Sequence, residues 1–266
     1  QQDSISSSFH VVPEPVSITA KPGKFRITSA TVIVTTDAGS KPVASMASQL
    51  LGKLTGYPLQ VRAGNAHSRG IVFRLNPSPE AVLGKEGYRL ETTPERVLVT
   101  ANQPAGLFYG LQTLRQLLPA SSPDVGAARW DVPGVSVMDY PRFAWRGLML
   151  DVSRHFFSKK FVETYIDEMA KYKYNVFHWH LTDDNGWRIQ IEGLPRLTEV
   201  GAWRVPRTGR WGSFSYAAPG EKATDGGYYT TADIREVVEY ARRRFVTIVP
   251  EIDVPAHSLA LIAAYP

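Results

Sequence analysis

The 266-residue chain has no cysteine, which excludes disulfides, thiolate metal centres and a thiol nucleophile while leaving the cellular compartment open. Long apolar runs are missing as well. None approaches the roughly 18 to 20 residues of a membrane-spanning helix, and no basic-then-apolar leader precedes the polar start from Gln1 to Ser8. A chain without a membrane span is expected, and a start at Gln rather than Met points to processing or trimming. Dense single-sign charge is the third absence. The formal charge is +5, but the basic residues are scattered, and the one compact run is Arg242-Arg243-Arg244 on a segment of helical pattern. A solvated helix face explains that run, so nucleic acid is not an expected partner.

What the chain does contain is ordinary for a globular protein, with 43% hydrophobic and 21% charged residues, and 11% aromatics that include six Trp and twelve Tyr. Its length suits one large α/β domain or two medium ones, and two is the expectation. In the first part, Thr31 to Thr35 and Gly70 to Leu75 are β-rich runs with a helical stretch near Val43 to Leu54 between them. Strands follow at Gly87 to Glu91 and Arg96 to Ala101, joined by a turn at Thr93-Pro94. Leu107, Leu111, Leu114 and Leu118 recur at helical spacing, which predicts an amphipathic helix over Ala105 to Leu118 that stops at Pro119. Between Ala120 and Pro141 the chain is rich in Pro, Gly, Ser and Asp, with one β-like run at Gly134 to Met138. The boundary is placed there, giving an α+β domain over 1–140 and a second domain over 141–266.

The second rhythm is strand then helix: Arg146 to Asp151, a helix from Ser158 to Lys173, then Asn175 to Leu181. That helix is expected to bury Phe161, Val162, Tyr165, Ile166 and Met169. Thr230 reads as an N-cap with Asp233 at the capping-box position, before a helix over Ile234 to Phe245 and a strand over Val246 to Glu251. Repeated βα units argue for a parallel sheet, and a polar cluster closes each strand: Asp151 to His155, Thr182 to Asp184, and Glu251 to His257. Polar groups at successive strand C-termini are how a (β/α)8 barrel builds a site. About 125 residues follow Pro141 whereas a whole barrel takes about 250, so roughly three of eight strands are expected. Between Asp184 and Thr230 lies an insertion of over forty residues holding Trp187, Trp203, Trp211, Tyr216, Tyr228 and Tyr229, a candidate substrate wall.

Several of these residues can carry chemistry. His178 and His180 are two apart on one strand, so both face one way and Trp179 the other. They read either as hydrogen-bonded imidazoles filling a barrel interior or, with Asp183, Asp184 and His257, as zinc ligands; the first reading is preferred and no metal is assigned. Asp183 and Asp184 can orient an imidazole, accept sugar hydroxyls or cap a turn. His257 is placed to meet Asp184 in a carboxylate and imidazole pair. Arg154 carries a planar fork of donors suited to two adjacent hydroxyls, or else pairs with a nearby carboxylate.

Taken together, Arg146 to Phe156, Asn175 to Arg188 and Pro250 to His257 strongly resemble the family 20 glycoside hydrolases, the beta-N-acetylhexosaminidases. Glu86 to Leu90 and Ala105 to Leu114 look like the small α+β domain that commonly precedes the barrel in that family. The resemblance implies removal of terminal N-acetylglucosamine or N-acetylgalactosamine with retention, the substrate's acetamido oxygen acting as nucleophile, and no cofactor. Arg154, Asp183 and His180 are the expected substrate-binding residues, and by resemblance Arg154 takes the 3- and 4-hydroxyls. Asp184 and His257 support the catalytic acid, and Asp183 is the less certain of its pair. The family carries that acid in a consecutive Asp-Glu after the fourth strand. Here the one Asp-Glu is Asp167-Glu168, in mid-helix, and reads as a solvated face. The chain alone is therefore expected to be inactive. Other readings are a non-catalytic glycan-binding protein and a metal-dependent barrel hydrolase. An open barrel segment exposes apolar edges, so a complementing chain or self-association is expected. The family's habits imply a secreted or periplasmic location.

Overall fold

A computed structural model describes residues 9–119, 129–207 and 217–266. They fall into two compact units, Gln1–Ala144 and Trp145–Pro266.

The first unit is built on β1 (Ser17–Arg26), β2 (Val32–Thr35), α1 (Lys41–Thr55), β3 (Gln60–Ala63), β4 (Gly70–Leu75), β5 (Tyr88–Thr92), β6 (Arg96–Ala101), α2 (Pro104–Leu117) and β7 (Asp131–Asp139). Its seven strands form one sheet in the order β1-β7-β5-β6-β4-β2-β3. The run β6-β4-β2-β3 is parallel, and β6-β5-β7-β1 is antiparallel. β1 and β3 are additions to what the sequence pattern foretells. β1 lies largely exposed and β3 nearly so, which removes the apolar alternation that marks a half-buried strand.

Helix α2 departs from the amphipathic expectation, since ten of its residues are buried, Gln112 and Thr113 among them. It packs against the sheet on one side and touches α1 on another. Gly106 and Gly110, one turn apart, permit the approach: a Cβ on Gly106 would stand 2.2 Å from the Gly87 carbonyl oxygen, and one on Gly110 2.5 Å from Val99 Cγ1. The buried hydroxyls satisfy each other, with Tyr88 Oη 2.5 Å from Thr113 Oγ1.

The second unit adds β8 (Gly147–Asp151), α3 (Lys159–Lys171), β9 (Val176–His180), β10 (Thr182–Asp183), β11 (Gly186–Trp187), α4 (Arg196–Glu199), β12 (Trp203–Arg204), β13 (Asp225–Gly226), α5 (Thr231–Arg242), β14 (Thr247–Glu251) and α6 (Leu259–Ala264). β8, β9 and β14 form an all-parallel sheet in the order β14-β9-β8, an open sheet as foreseen for the first βα units of a barrel. The Ser158 side chain caps α3 by accepting the Phe161 N–H. Thr230 and Asp233 form the reciprocal capping box at the start of α5. Val162, Ile166 and Met169 face the core. Phe161 does not: it is 43% exposed and stacks on Phe157, pointing off the face that its neighbour Val162 buries.

Helices α3 and α5 are tied at their surfaces. Asp167 accepts the Tyr240 hydroxyl at 2.7 Å and pairs with Arg244, while Arg242 and Arg243 both engage Glu239. The basic run is thus matched by carboxylates of the same helix pair. Among the described residues no helix is long and apolar enough to cross a membrane.

Leu111 is fully buried beneath the sheet. Leu111→Ala removes that contact and leaves a cavity, and is expected to destabilise the first unit by about 2–5 kcal/mol. Urea unfolding of wild type and variant measures the loss, and a change below about 1 kcal/mol contradicts the packing described.

Candidate active site

The three parallel strands end level with one another. In their register Asp151 lies across from His180, and His180 across from Glu251. Residues opposite one another share a face of the sheet, so three ionisable side chains stand in a row at the carboxyl edge.

His180 is buried and meets a carboxylate at each ring nitrogen: Nδ1 lies 2.8 Å from Glu251 Oε2, and Nε2 lies 3.1 Å from Asp183 Oδ2. His178, on the same face, contacts the same Glu251 oxygen. Trp179 points the other way into the core beside Tyr229. Burial pushes the Glu251 carboxyl up, yet the hydrogen bond from His180 and the two neighbouring imidazoles outweigh it and hold the group below its ordinary range.

Asp183 is the hub. Only 2% exposed, its Oδ2 accepts Arg154 Nη2 at 2.6 Å, and its Oδ1 accepts the backbone N–H of Asp184 at 2.7 Å. His257 Nδ1 stands 3.3 Å from Asp183 Oδ1 and 3.8 Å from Asp184 Oδ2. His257 therefore stands within ion-pair reach of both carboxylates, with Asp183 the nearer. Asp184 also uses Oδ1 to accept the Leu259 N–H at the start of α6, at 3.1 Å. His257 adopts a left-handed backbone, φ 53°, uncommon for a residue with a Cβ. The Ser258 hydroxyl steadies that turn by donating to the carbonyls of Ala256 and Asp253.

Arg154 bridges two of the carboxylates. Its Nη1 donates to Asp151 Oδ2 at 2.8 Å while Nη2 holds Asp183, and its side chain is 43% exposed. Asp151 also accepts the backbone N–H groups of Ser153 and Arg154. Burial pushes the Asp151 carboxyl up, but the Arg154 backbone N–H and guanidinium prevail and lower it. Arg154, His180, Asp183, Asp184 and His257, singled out from the sequence, thus lie in one connected cluster, and His178 joins it through Glu251. Asp151, Glu251 and Asp253 belong beside them and were read only as strand-end polar residues. Counting the parallel register from the strand ends is the signal that finds the first two.

Two groups of potential metal ligands occur: His180, Asp183 and Asp253, and Asp183, Asp184 and His257. His178 belongs to neither. Both groups share Asp183, whose Oδ2 already holds the permanent charge of Arg154, so a divalent ion would compete with a guanidinium for that carboxylate.

Arg188 positions the loops that carry the cluster. Fully buried at 1% exposure, it donates through Nε to Val152 O at 3.1 Å, through Nη2 to Ser153 O at 2.6 Å, and through Nη1 to the carbonyls of Ala202 and Gly227. Desolvation, with the like charge of Arg204 behind it, draws its pKa down to about 10. Glycine makes room: a Cβ on Gly186 would lie 2.2 Å from Arg188 Cζ, and one on Gly226 2.0 Å from the Ala202 oxygen. Nothing in the sequence marks this residue, because its partners are main-chain groups.

The aromatic insertion divides. Trp187 and Tyr229 are buried in the unit's own core, Trp187 against Leu197, Ala260 and Ala264, and Tyr229 with its hydroxyl on Phe157 O at 2.5 Å. They are packing residues and do not wall a cleft. Trp203 and Tyr228 are partly exposed; Trp211 and Tyr216 lie outside the described residues.

Comparison with known proteins agrees over both units. Residues 143–266 match the family model "Glycosyl hydrolase family 20, catalytic domain", and residues 8–140 match "Glycosyl hydrolase family 20, domain 2". A beta-hexosaminidase of Porphyromonas gingivalis is 38% identical over 260 residues, covering 97% of this chain and 32% of that protein. The GH20 beta-N-acetylhexosaminidase of Streptomyces coelicolor A3(2) superposes with a TM-score of 0.81 at 42% identity, covering 96% of this chain and 48% of that one. A mutant Streptomyces plicatus beta-hexosaminidase in complex with product (GlcNAc) gives the same TM-score of 0.81, the same 42% identity and the same coverage, 96% and 48%. The chain thus spans a third to a half of the length of these relatives.

An ammonium cannot reach the four carbonyls that the Arg188 fork spans. Arg188→Lys is expected to cost the second unit about 2–4 kcal/mol, since buried carbonyls lose their donors. Thermal unfolding followed by circular dichroism measures it, and an unchanged midpoint would remove Arg188 from this role.

Proposed function

The chain belongs to glycosyl hydrolase family 20, and from that premise we propose that its carboxyl-edge cluster holds the terminal N-acetylglucosamine or N-acetylgalactosamine of a glycan, as part of an enzyme that removes that sugar. One observation carries the reading. The Arg154 guanidinium is clamped by Asp151 and Asp183, with Nη1 also 3.4 Å from His180 Nε2, yet remains partly exposed, so the fork still offers N–H groups to an adjacent pair of sugar hydroxyls. A clamped fork loses little freedom on binding. The GlcNAc product in the Streptomyces plicatus relative supports the choice of sugar.

In the reaction we infer, the acetamido oxygen of the substrate attacks its own anomeric carbon while the glycosidic oxygen leaves with a proton from a carboxylic acid. Water then opens the oxazoline-type intermediate with net retention. Within this chain, Arg154 orients the ring through its 3- and 4-hydroxyls, Asp183 and His180 fix Arg154, and Asp184 with His257 supports the acid. The one consecutive Asp-Glu, Asp167-Glu168, lies on α3, where Asp167 is engaged by Tyr240 and Arg244 and Glu168 by Lys171. We therefore assign to this chain the holding and orienting of the sugar, with no turnover on its own.

On the resemblance to the family we place the protein outside the cytoplasm, secreted or periplasmic. Leu148 and Met149 on the outer strand β8, and Ile262 on α6, are exposed apolar residues, which favours a complementing chain or a second copy over these surfaces. Sedimentation equilibrium is expected to find a species heavier than the monomer, and a monomer at all concentrations argues against such cover.

Calorimetric titration of the 266-residue chain with N-acetylglucosamine is expected to give saturable binding that Arg154→Ala weakens at least about tenfold, near 1.4 kcal/mol. Release from a chromogenic N-acetylglucosaminide is expected to stay at the no-protein level. Absence of saturable heat, or an unaffected Arg154→Ala variant, would overturn the assignment of Arg154.

A further inference from the structure

The first unit holds a crevice of about 700 Å³, within the size range of small-molecule sites, and its position follows from topology. β2, β3 and β4 are parallel, with β3 and β4 on opposite sides of β2. From β2 the chain turns through α1 to one side, and from β4 it departs to the other. The carboxyl ends of β2 and β4 therefore flank a topological switch point, the place where open α/β sheets leave a ligand-sized gap. The crevice is lined by the residues just beyond those ends: Asp37 and Gly39 after β2, Asn65 after β3, and Arg74 and Asn76 at the end of β4.

The charges there are unequally spent. Asp37 is turned inward, accepting the Ser40 N–H at 2.7 Å, the Leu75 N–H at 3.0 Å and the Thr36 hydroxyl at 2.9 Å. Its carboxylate thereby stitches the β2–α1 turn to the end of β4. Arg74 is half-buried on the crevice wall, and its side chain makes no hydrogen bond or ion pair among the described residues. The amide groups of Asn65 and Asn76 stand in the same lining; Asn65 Oδ1 accepts the His67 N–H and Asn76 Nδ2 donates to Asn102 Oδ1, which leaves Asn65 Nδ2 and Asn76 Oδ1 for a ligand. Gly39 and Gly64 keep the rim thin, since a Cβ on either would come within 2.6 Å of Leu75 Cδ1 or 2.7 Å of Val34 Cγ1.

We propose that this crevice is a second binding site, separate from the carboxyl-edge cluster of the other unit, for a small sugar or metabolite bearing an oxyanion, with the Arg74 fork on the carboxylate or phosphate and the asparagine amides on neighbouring hydroxyls. The preference for an anion comes from the Arg74 guanidinium, unpaired among the described residues, while the Asp37 carboxylate is turned away onto the Ser40 and Leu75 N–H groups and the Thr36 hydroxyl. The proposal does not rest on the function given to Arg154.

The test is a nuclear magnetic resonance titration of the 266-residue chain with glucuronate, glucose 6-phosphate, inorganic phosphate and glucose. Glucuronate and glucose 6-phosphate are expected to shift the Gly39 and Gly64 amide resonances saturably, and glucose to do so at least tenfold more weakly. Inorganic phosphate separates the two sources of affinity: shifts equal to those of glucose 6-phosphate would reduce the site to an anion site without sugar recognition and overturn the sugar half of the proposal. Arg74→Gln is expected to lose the response at least tenfold with an unchanged melting temperature, and Arg154→Ala to retain it. No saturable shift at Gly39 and Gly64, equal binding of glucose and glucuronate, or an undiminished response in Arg74→Gln overturns the site.

Discussion

The second unit depends on one buried cation, Arg188, that pairs directly with no carboxylate among the described residues. Arg188 reaches the chain just after β8, through Val152 and Ser153, and the far side of the long insertion, through Ala202 and Gly227. Removing a guanidinium from water is costly, and the offset comes from carbonyl oxygens that would otherwise be buried without donors. The arrangement is mutual: the loops are held because Arg188 needs acceptors, and Arg188 is tolerated because the loops lack donors. Ser153 and Arg154 are consecutive, so the same contact sets where the exposed fork begins.

On that frame the polar cluster works as an alternation of charge. Glu251, His180, Asp183, Arg154 and Asp151 form a chain in which each member touches groups able to carry the opposite sign. Burial works against the ionised forms of Asp151 and Glu251, and the neighbours prevail in both. A half-paired version would be less stable than an apolar one, so the members act as a set.

Much of this was legible from residues alone where a side chain answers to periodicity. The strands at β4 and β6, the capping box of Thr230 with Asp233 and the βα rhythm of the second unit follow from spacing and cap chemistry. The three quoted motifs locate the cluster. What escaped the sequence has a common cause: it depends on main-chain geometry. Among the described residues the hydrogen bonds of the Arg188 side chain all go to backbone carbonyls. The left-handed turn at His257, which stands within reach of both Asp183 and Asp184, is not written in any side-chain pattern, and the inward burial of Trp187 and Tyr229 follows from how a long segment folds back. Composition marked those aromatics as a surface, whereas packing made them core. The switch-point crevice likewise needs the strand order, which no local pattern encodes.

The level ends of β8, β9 and β14 have a consequence for how this scaffold can change. The chain spends 24 residues between β8 and β9 but 66 between β9 and β14, and closing the longer excursion costs only about 0.9 kcal/mol more by the logarithmic law of loop closure. Insertions there are thermodynamically inexpensive as long as Arg188 still pins both flanks. Evolution can therefore lengthen or shorten the approach to the cluster while leaving the alignment of Asp151, His180 and Glu251 untouched, so that variation in the partner molecule and constancy of the chemistry are inherited separately.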